Sequence, residues 1–155
     1  MELTYIQAIP LGASDIRASS SGADVRQSQH QGLHDVQVEM GFTLREGSPV
    51  RLSFQWTGGL EVSTQPEPAL SQGARSGGVR ILDFTMDGDE WVLEVEGEGG
   101  SDGRVNLFGS SVSANEEGVE VMEGEPGRAV LQMSFPGGES RSLRTLRLFR
   151  SVPGS

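Results

Sequence analysis

Cysteine is absent from the 155 residues, which excludes disulfide staples, thiolate nucleophiles and Cys-ligated zinc, and leaves the fold to be held by its core alone. Lysine is absent as well, since arginine supplies all 12 basic residues; the bias fits a GC-rich coding sequence, and the acidic surface would suit a salty habitat. Against those stand 22 acidic residues, for a net charge of -10, which repels a phosphate backbone and argues against a nucleic-acid partner. No apolar run approaches the ~20 residues that cross a bilayer, so no membrane span is expected. Met1-Glu2-Leu3 does not open the basic head and apolar middle of a signal peptide, and the expectation is a soluble segment without an export signal of its own. The compartment stays open, because many secreted bacterial β-domains also lack cysteine. An extracellular or periplasmic place is favoured if the chain belongs to a longer exported protein.

What the chain does have is 22 glycines, 7 prolines and short bursts of alternating apolar residues, the composition of many short strands joined by tight turns. The expected fold is all-β, an antiparallel two-sheet β-sandwich of immunoglobulin-like or jelly-roll-like arrangement, with about nine strands. Leu3 to Ile9 reads as a first strand ended by Pro10. The Ser-, Gly- and Gln-rich stretch from Gly12 to Gly32 reads as a loop or a linker, the linker being preferred, because a structureless loop of about 20 residues is unusual inside a compact domain. The domain expectation is therefore an opening strand plus linker over 1–33 and a β-sandwich over 34–155. Val36, Val38, Met40, Phe42 and Leu44 alternate with polar residues, and Val50, Leu52, Phe54 and Trp56 continue the pattern after Arg45-Glu46-Gly47-Ser48-Pro49, so the two runs are expected to pair as a hairpin. Thr57-Gly58-Gly59 should break the second run, with Leu60-Glu61-Val62 pairing briefly. Gln65 to Gly78 reads as a long crossing between sheets. Val79 to Met86 and Glu90 to Glu96 should form a hairpin across Asp87-Gly88-Asp89 through a type I′ turn. Arg104 to Phe108, Gly118 to Met122, Arg128 to Phe135 and Ser142 to Phe149 complete the strands, with Pro136-Gly137-Gly138 closing the last hairpin. Arg141, Arg144, Arg147 and Arg150 could mark one face of a helix, but the preceding Pro-Gly-Gly and the short length favour a strand with its arginines reaching out at the margins.

Several side chains are candidates for chemistry. His30 and His34, next to Asp35, could hold zinc only on a helix that brought both rings to one face, and the neighbouring glycine and strand argue for two solvated histidines instead. Asp83, Asp87, Asp89 and Glu90 gather carboxylates around one turn and are the candidate calcium ligands, although the spacing of a full calcium loop with its closing glutamate is missing; a plain Asp-Gly hairpin is the competing reading, with no cofactor at all. Glu94, Glu96 and Glu98 line one wet face of a strand from which a glycosidase could draw an acid and a base, but no partner strand of carboxylates is identifiable. No Gly-x-Ser-x-Gly elbow appears, and Gly97-Glu98-Gly99-Gly100 lacks the lysine and following helix of a phosphate loop. Trp56 and Trp91 are the candidate carbohydrate-binding residues, since flat aromatic rings stack on the apolar faces of pyranoses. Both are in phase with apolar neighbours, so core anchoring is the competing and preferred account.

Ile81-Leu82-Asp83-Phe84, Trp91 to Gly97, Arg104 to Gly109, Val119-Glu120-Val121, Leu131 to Pro136 and the closing arginine-rich strand resemble, in their cadence of strands and turns, the C-terminal β-sandwich modules of bacterial glycoside hydrolases and related glycan-processing proteins. The resemblance covers residues 34 to 150 and carries over no functional residue. It implies a non-catalytic accessory or interaction module, serving protein-protein docking against an adjacent catalytic domain or weak glycan contact. Two readings compete with it. A direct carbohydrate-binding module would show an exposed tryptophan or a calcium-organised loop, and a structural protein of a surface layer or virion would show a symmetric oligomer completing a sheet edge. An enzyme would need two carboxylates in one cleft, roughly 5 to 10 Å apart.

Overall fold

Where apolar and polar residues alternate, the backbone is strand: the computed structural model describes residues 1–32, 35–64 and 78–151, and among them it holds eleven strands and no helix. In chain order these are β1 (Glu2–Ser21), β2 (Val25–Gln31), β3 (Asp35–Thr43), β4 (Arg51–Thr64), β5 (Arg80–Asp87), β6 (Glu90–Glu98), β7 (Asp102–Gly109), β8 (Val112–Ser113), β9 (Val119–Glu123), β10 (Arg128–Ser134) and β11 (Arg141–Arg150). One sheet has the hydrogen-bonded order β2-β3-β1-β4-β7-β10-β9 and the other β5-β6-β11-β8, an all-β antiparallel architecture consistent with a sandwich. The chain divides into two compact units, Met1–Gly59 and Leu60–Ser155, with β4 passing from the first into the second. Of the expected crossing from Gln65 to Gly78, residues 65–77 lie outside the described residues, as does His34.

In the first unit, β3 is central to a register that runs from Glu2↔Thr43 to Pro10↔Asp35 on one side and from Val25↔Phe42 to Gln31↔Val36 on the other. Ile9, Val38 and Met40 are buried, and Ala13, Ile16, Ala18, Val25, Val36, Leu52 and Phe54 pack against them. Two expectations fail here. The runs Val36–Leu44 and Val50–Trp56 do not pair with each other, because β1 lies between β3 and β4. The opening strand brings the apolar residues Leu3, Tyr5 and Ile9 into register with Phe42, Met40 and Val36, and so takes the place beside β3 that the later run was expected to fill. The stretch from Gly12 to Gly32 is also not a loop: β1 continues through Pro10 to Ser21, and β2 follows. Ladder hydrogen bonds are made by backbone groups whatever the side chain, so Val25 alone anchors β2 to the core while its glutamines and serine stay wet.

In the second unit the two faces that meet are written in the pairing registers. Phe84, Leu93 and Leu146 lie in one cross-strand row and Trp91 with Leu148 in the next, while Val105 and Leu131 face each other in the other sheet. All seven are essentially removed from solvent, and each such side chain contributes about 1.5–3 kcal/mol. The β5–β6 hairpin forms across Gly88-Asp89, as its turn residues predict, but only Gly88 has positive φ, at 62°, which is the pattern of type II′ and not type I′. Pro136-Gly137-Gly138 closes no hairpin, since β10 and β11 belong to different sheets. That connection runs beside the one between β6 and β7: Phe135 N donates to Ser101 O at 2.8 Å and Gly100 N to Phe135 O at 3.0 Å. The Phe135 ring fills the space left by two glycines, for a Cβ on Gly97 would stand 2.3 Å from the ring and one on Gly103 2.8 Å from it. The arginine-rich segment is strand β11, with Leu146 and Leu148 buried, as its pattern indicates. Thr57-Gly58-Gly59 does not end β4, which continues to pair Leu60–Thr64 with Gly109–Val105 of β7.

Candidate functional site

The carboxylates around the β5–β6 turn are held by a cation of the chain's own. Arg147 Nη1 donates to Asp87 Oδ2 at 2.9 Å and to Glu90 Oε2 at 2.8 Å, and its backbone N–H donates to Glu116 Oε1 at 2.8 Å. Glu90 first, and then Asp87, raise the guanidinium pKa above its ordinary value. Asp83 lies four residues before Asp87 on β5: its register partner is Glu94, and its Oδ1 accepts the N–H of Phe84 at 3.0 Å. Asp89 is at the turn itself. The four candidate calcium ligands are therefore not brought together, and no group of three or more His, Asp or Glu among the described residues is arranged to hold a metal.

The glutamates of β6 are likewise distributed along the outer face of the four-stranded sheet. Glu96 lies between Arg80 and Arg141, at 3.6 and 3.5 Å, while Glu94 faces Asp83. His30 is exposed, with its Nε2 3.1 Å from Ser28 Oγ and 3.6 Å from Glu39 Oε2, an arrangement of an edge strand and its neighbour.

The two tryptophans part company. Trp91 is 0 % exposed, beside Leu148 and Met86 in register, with the Arg150 guanidinium 4.7 Å above its ring. It is a core anchor and has no free face for a ligand. Trp56 is 40 % exposed, although its phase matches the partly buried Phe54 and Leu52, and it is outside the cluster that packs on Ile9, Val38 and Met40.

Around Trp56 the surface forms an open, shallow depression lined by Asp15, Arg17, Phe54, Gln55, Trp56 and Thr57. Asp15 has φ 51°, the one non-glycine residue in the left-handed region among those described, a conformation that aspartate tolerates better than most residues. Phe54, which also packs against the core, has its ring centroid 5.7 Å from that of half-exposed Tyr5. A flat apolar ring, a carboxylate and a guanidinium on one open surface offer stacking together with hydrogen-bond acceptance and donation. Asp15 and Arg17 escaped notice in the sequence because they lie in the stretch that reads as a linker; the available signal was Asp15-Ile16-Arg17, charged residues on either side of an aliphatic one that packs inward. Comparison of the chain with protein-family models, with curated proteins and with solved structures finds no match.

Proposed function

We propose that this chain is a non-catalytic β-sandwich interaction module of a carbohydrate-processing protein, and that it touches glycan through the surface around Trp56. The observation that carries the reading is the exposure of Trp56 beside Asp15 and Arg17. A large aromatic side chain left open next to polar groups of both signs is what a polyol ligand requires, with C–H faces for the ring and hydroxyls for the charged pair. The non-catalytic part is supported by the use already made of the acidic residues, since Arg147 occupies Asp87 and Glu90 while Arg80 and Arg141 occupy Glu96. The resemblance of its cadence of strands to that of accessory modules in glycan-processing enzymes points the same way, with an adjacent catalytic domain as the further partner.

The test is a glycan array probed with the native chain and with Trp56→Ala, each in calcium and in chelator. The reading expects binding that is indifferent to calcium and falls about 30-fold or more in the variant, the loss typical of a central tryptophan contact. Silence of the native chain across the array, or undiminished binding by Trp56→Ala, would refute it.

A further inference from the structure

We infer that the Trp56 surface takes the interior of a neutral polysaccharide chain, in preference to a chain end and in preference to an acidic or sulfated glycan. The inference rests on the glycan reading above and adds to it the class of ligand. Three features lead there.

The first is shape. The depression is open and shallow, with Phe54, Gln55, Trp56 and Thr57 all contributed by one strand and Asp15 and Arg17 by another. Among the described residues the surface is open, which leaves a sugar bound on Trp56 room to continue along it.

The second is the line of rings. Trp56 and Phe54 are two apart on β4 and so share a face, separated by about 6.6 Å along the strand. Tyr5, outside that lining, brings its ring centroid to 5.7 Å from that of Phe54, with its Oη donating to Gln7 Oε1 at 3.1 Å and its ring half exposed. Phe54 also packs against the core, so a chain gains contact only where it reaches past Trp56 to the exposed part of these rings, which makes affinity depend on chain length.

The third is charge. A neutral sugar hydroxyl both donates and accepts, and so satisfies Asp15 and Arg17 together. A uronate or sulfate would gain from Arg17, but it would meet Asp15 at close range and the field of a chain with net charge -10 at long range.

The experiment is affinity electrophoresis of the full chain in native gels containing hydroxyethyl cellulose, a galactomannan or polygalacturonate, followed by fluorescence titration with a matching monosaccharide, trisaccharide and hexasaccharide. Variants Trp56→Ala, Asp15→Asn and Arg17→Gln accompany the native chain. Asn tolerates the left-handed backbone of Asp15, so Asp15→Asn removes charge while keeping the turn, and circular dichroism checks that each variant is folded. The inference expects retardation by a neutral polymer and not by polygalacturonate, with the trisaccharide bound at least tenfold more tightly than the monosaccharide. Trp56→Ala should lose the retardation, and each charge variant should weaken binding severalfold. Preference for polygalacturonate, or equal affinity for monosaccharide and hexasaccharide, would overturn the inference while leaving glycan binding intact. No retardation by any polymer would overturn it as well, whereas the proposed function falls only on its own array test, through silence of the native chain or undiminished binding by Trp56→Ala.

Discussion

Trp56 and Trp91 show how far a single residue can be read. Both sit in phase with apolar neighbours, and phase fixes which face of a strand a side chain occupies. It does not say whether that face is covered at that point, which depends on chain segments far away in sequence. Trp91 lies in register with Leu148 and Met86 and is sealed; Trp56 lies on the same kind of face beyond the reach of Ile9, Val38 and Met40. Trp91→Ala should therefore cost about 3–5 kcal/mol in urea unfolding, against a change within about 0.5 kcal/mol for Trp56→Ala. Equal costs would mean that the exposure assigned to Trp56 is wrong. Gly97 is a second case, legible only in three dimensions: in the sequence it belongs to a glycine-rich turn, and in the fold it makes room for Phe135. Gly97→Ala puts a methyl group into that ring and should destabilise by about 1–3 kcal/mol, and the double variant with Phe135→Ala should lose less than the sum of the two single losses.

Individual strands were far more legible than their neighbours. Alternation located β3, β5, β6, β10 and β11 to within a few residues, and the start of β4 though not its continuation to Thr64, because a half-buried strand must alternate. It could not tell that β1 separates β3 from β4, since sequence proximity favours a hairpin and nothing local records the competition from Leu3, Tyr5 and Ile9. Ile6 and Glu39 are register partners with exposed or half-exposed side chains, and the chain has no cysteine to interfere. The pair Ile6→Cys and Glu39→Cys should close a disulfide on mild oxidation, since directly opposed strand residues lie about 4.5–5.5 Å apart at Cα. Failure to cross-link in the folded chain would restore the hairpin between the two later runs. The arginine clamp belongs at this level too. Arg147 joins β11 to both ends of the β5–β6 turn, and its raised pKa means that whatever stability the pairing gives is fully present below the ordinary guanidinium value and lost only in strong alkali. The melting temperature should accordingly show no step from this group between neutral pH and moderate alkali. It should also be the same in calcium and in chelator, because the turn carboxylates already have their cation; a rise of several degrees with calcium would show a metal site that the clamp does not account for.

For the whole molecule, composition conveyed the class: glycine, short alternating runs and the lack of helical stripes lead to an all-β antiparallel architecture, and the structure has it. Composition also misled, since a stretch of serine, glutamine and glycine looks like a linker even when most of it is strand, and the proposed site was hidden there with Asp15 and Arg17. A net charge of -10 sets one further expectation: a neutral ligand releases no counterions, so affinity for it should change less than about twofold between low and high salt, whereas an anionic ligand would show a steep dependence. The chain's 2 tryptophans make the central claim directly observable, because each gives a separate indole N–H signal in a nitrogen-15 correlation spectrum. That spectrum, recorded during titration with a neutral oligosaccharide, should show the Trp56 indole and the Asp15 and Arg17 amides moving together to saturation while the Trp91 indole stays in place. Saturable shifts clustered anywhere else, or a Trp56 signal that never moves across the neutral sugars, would contradict the account.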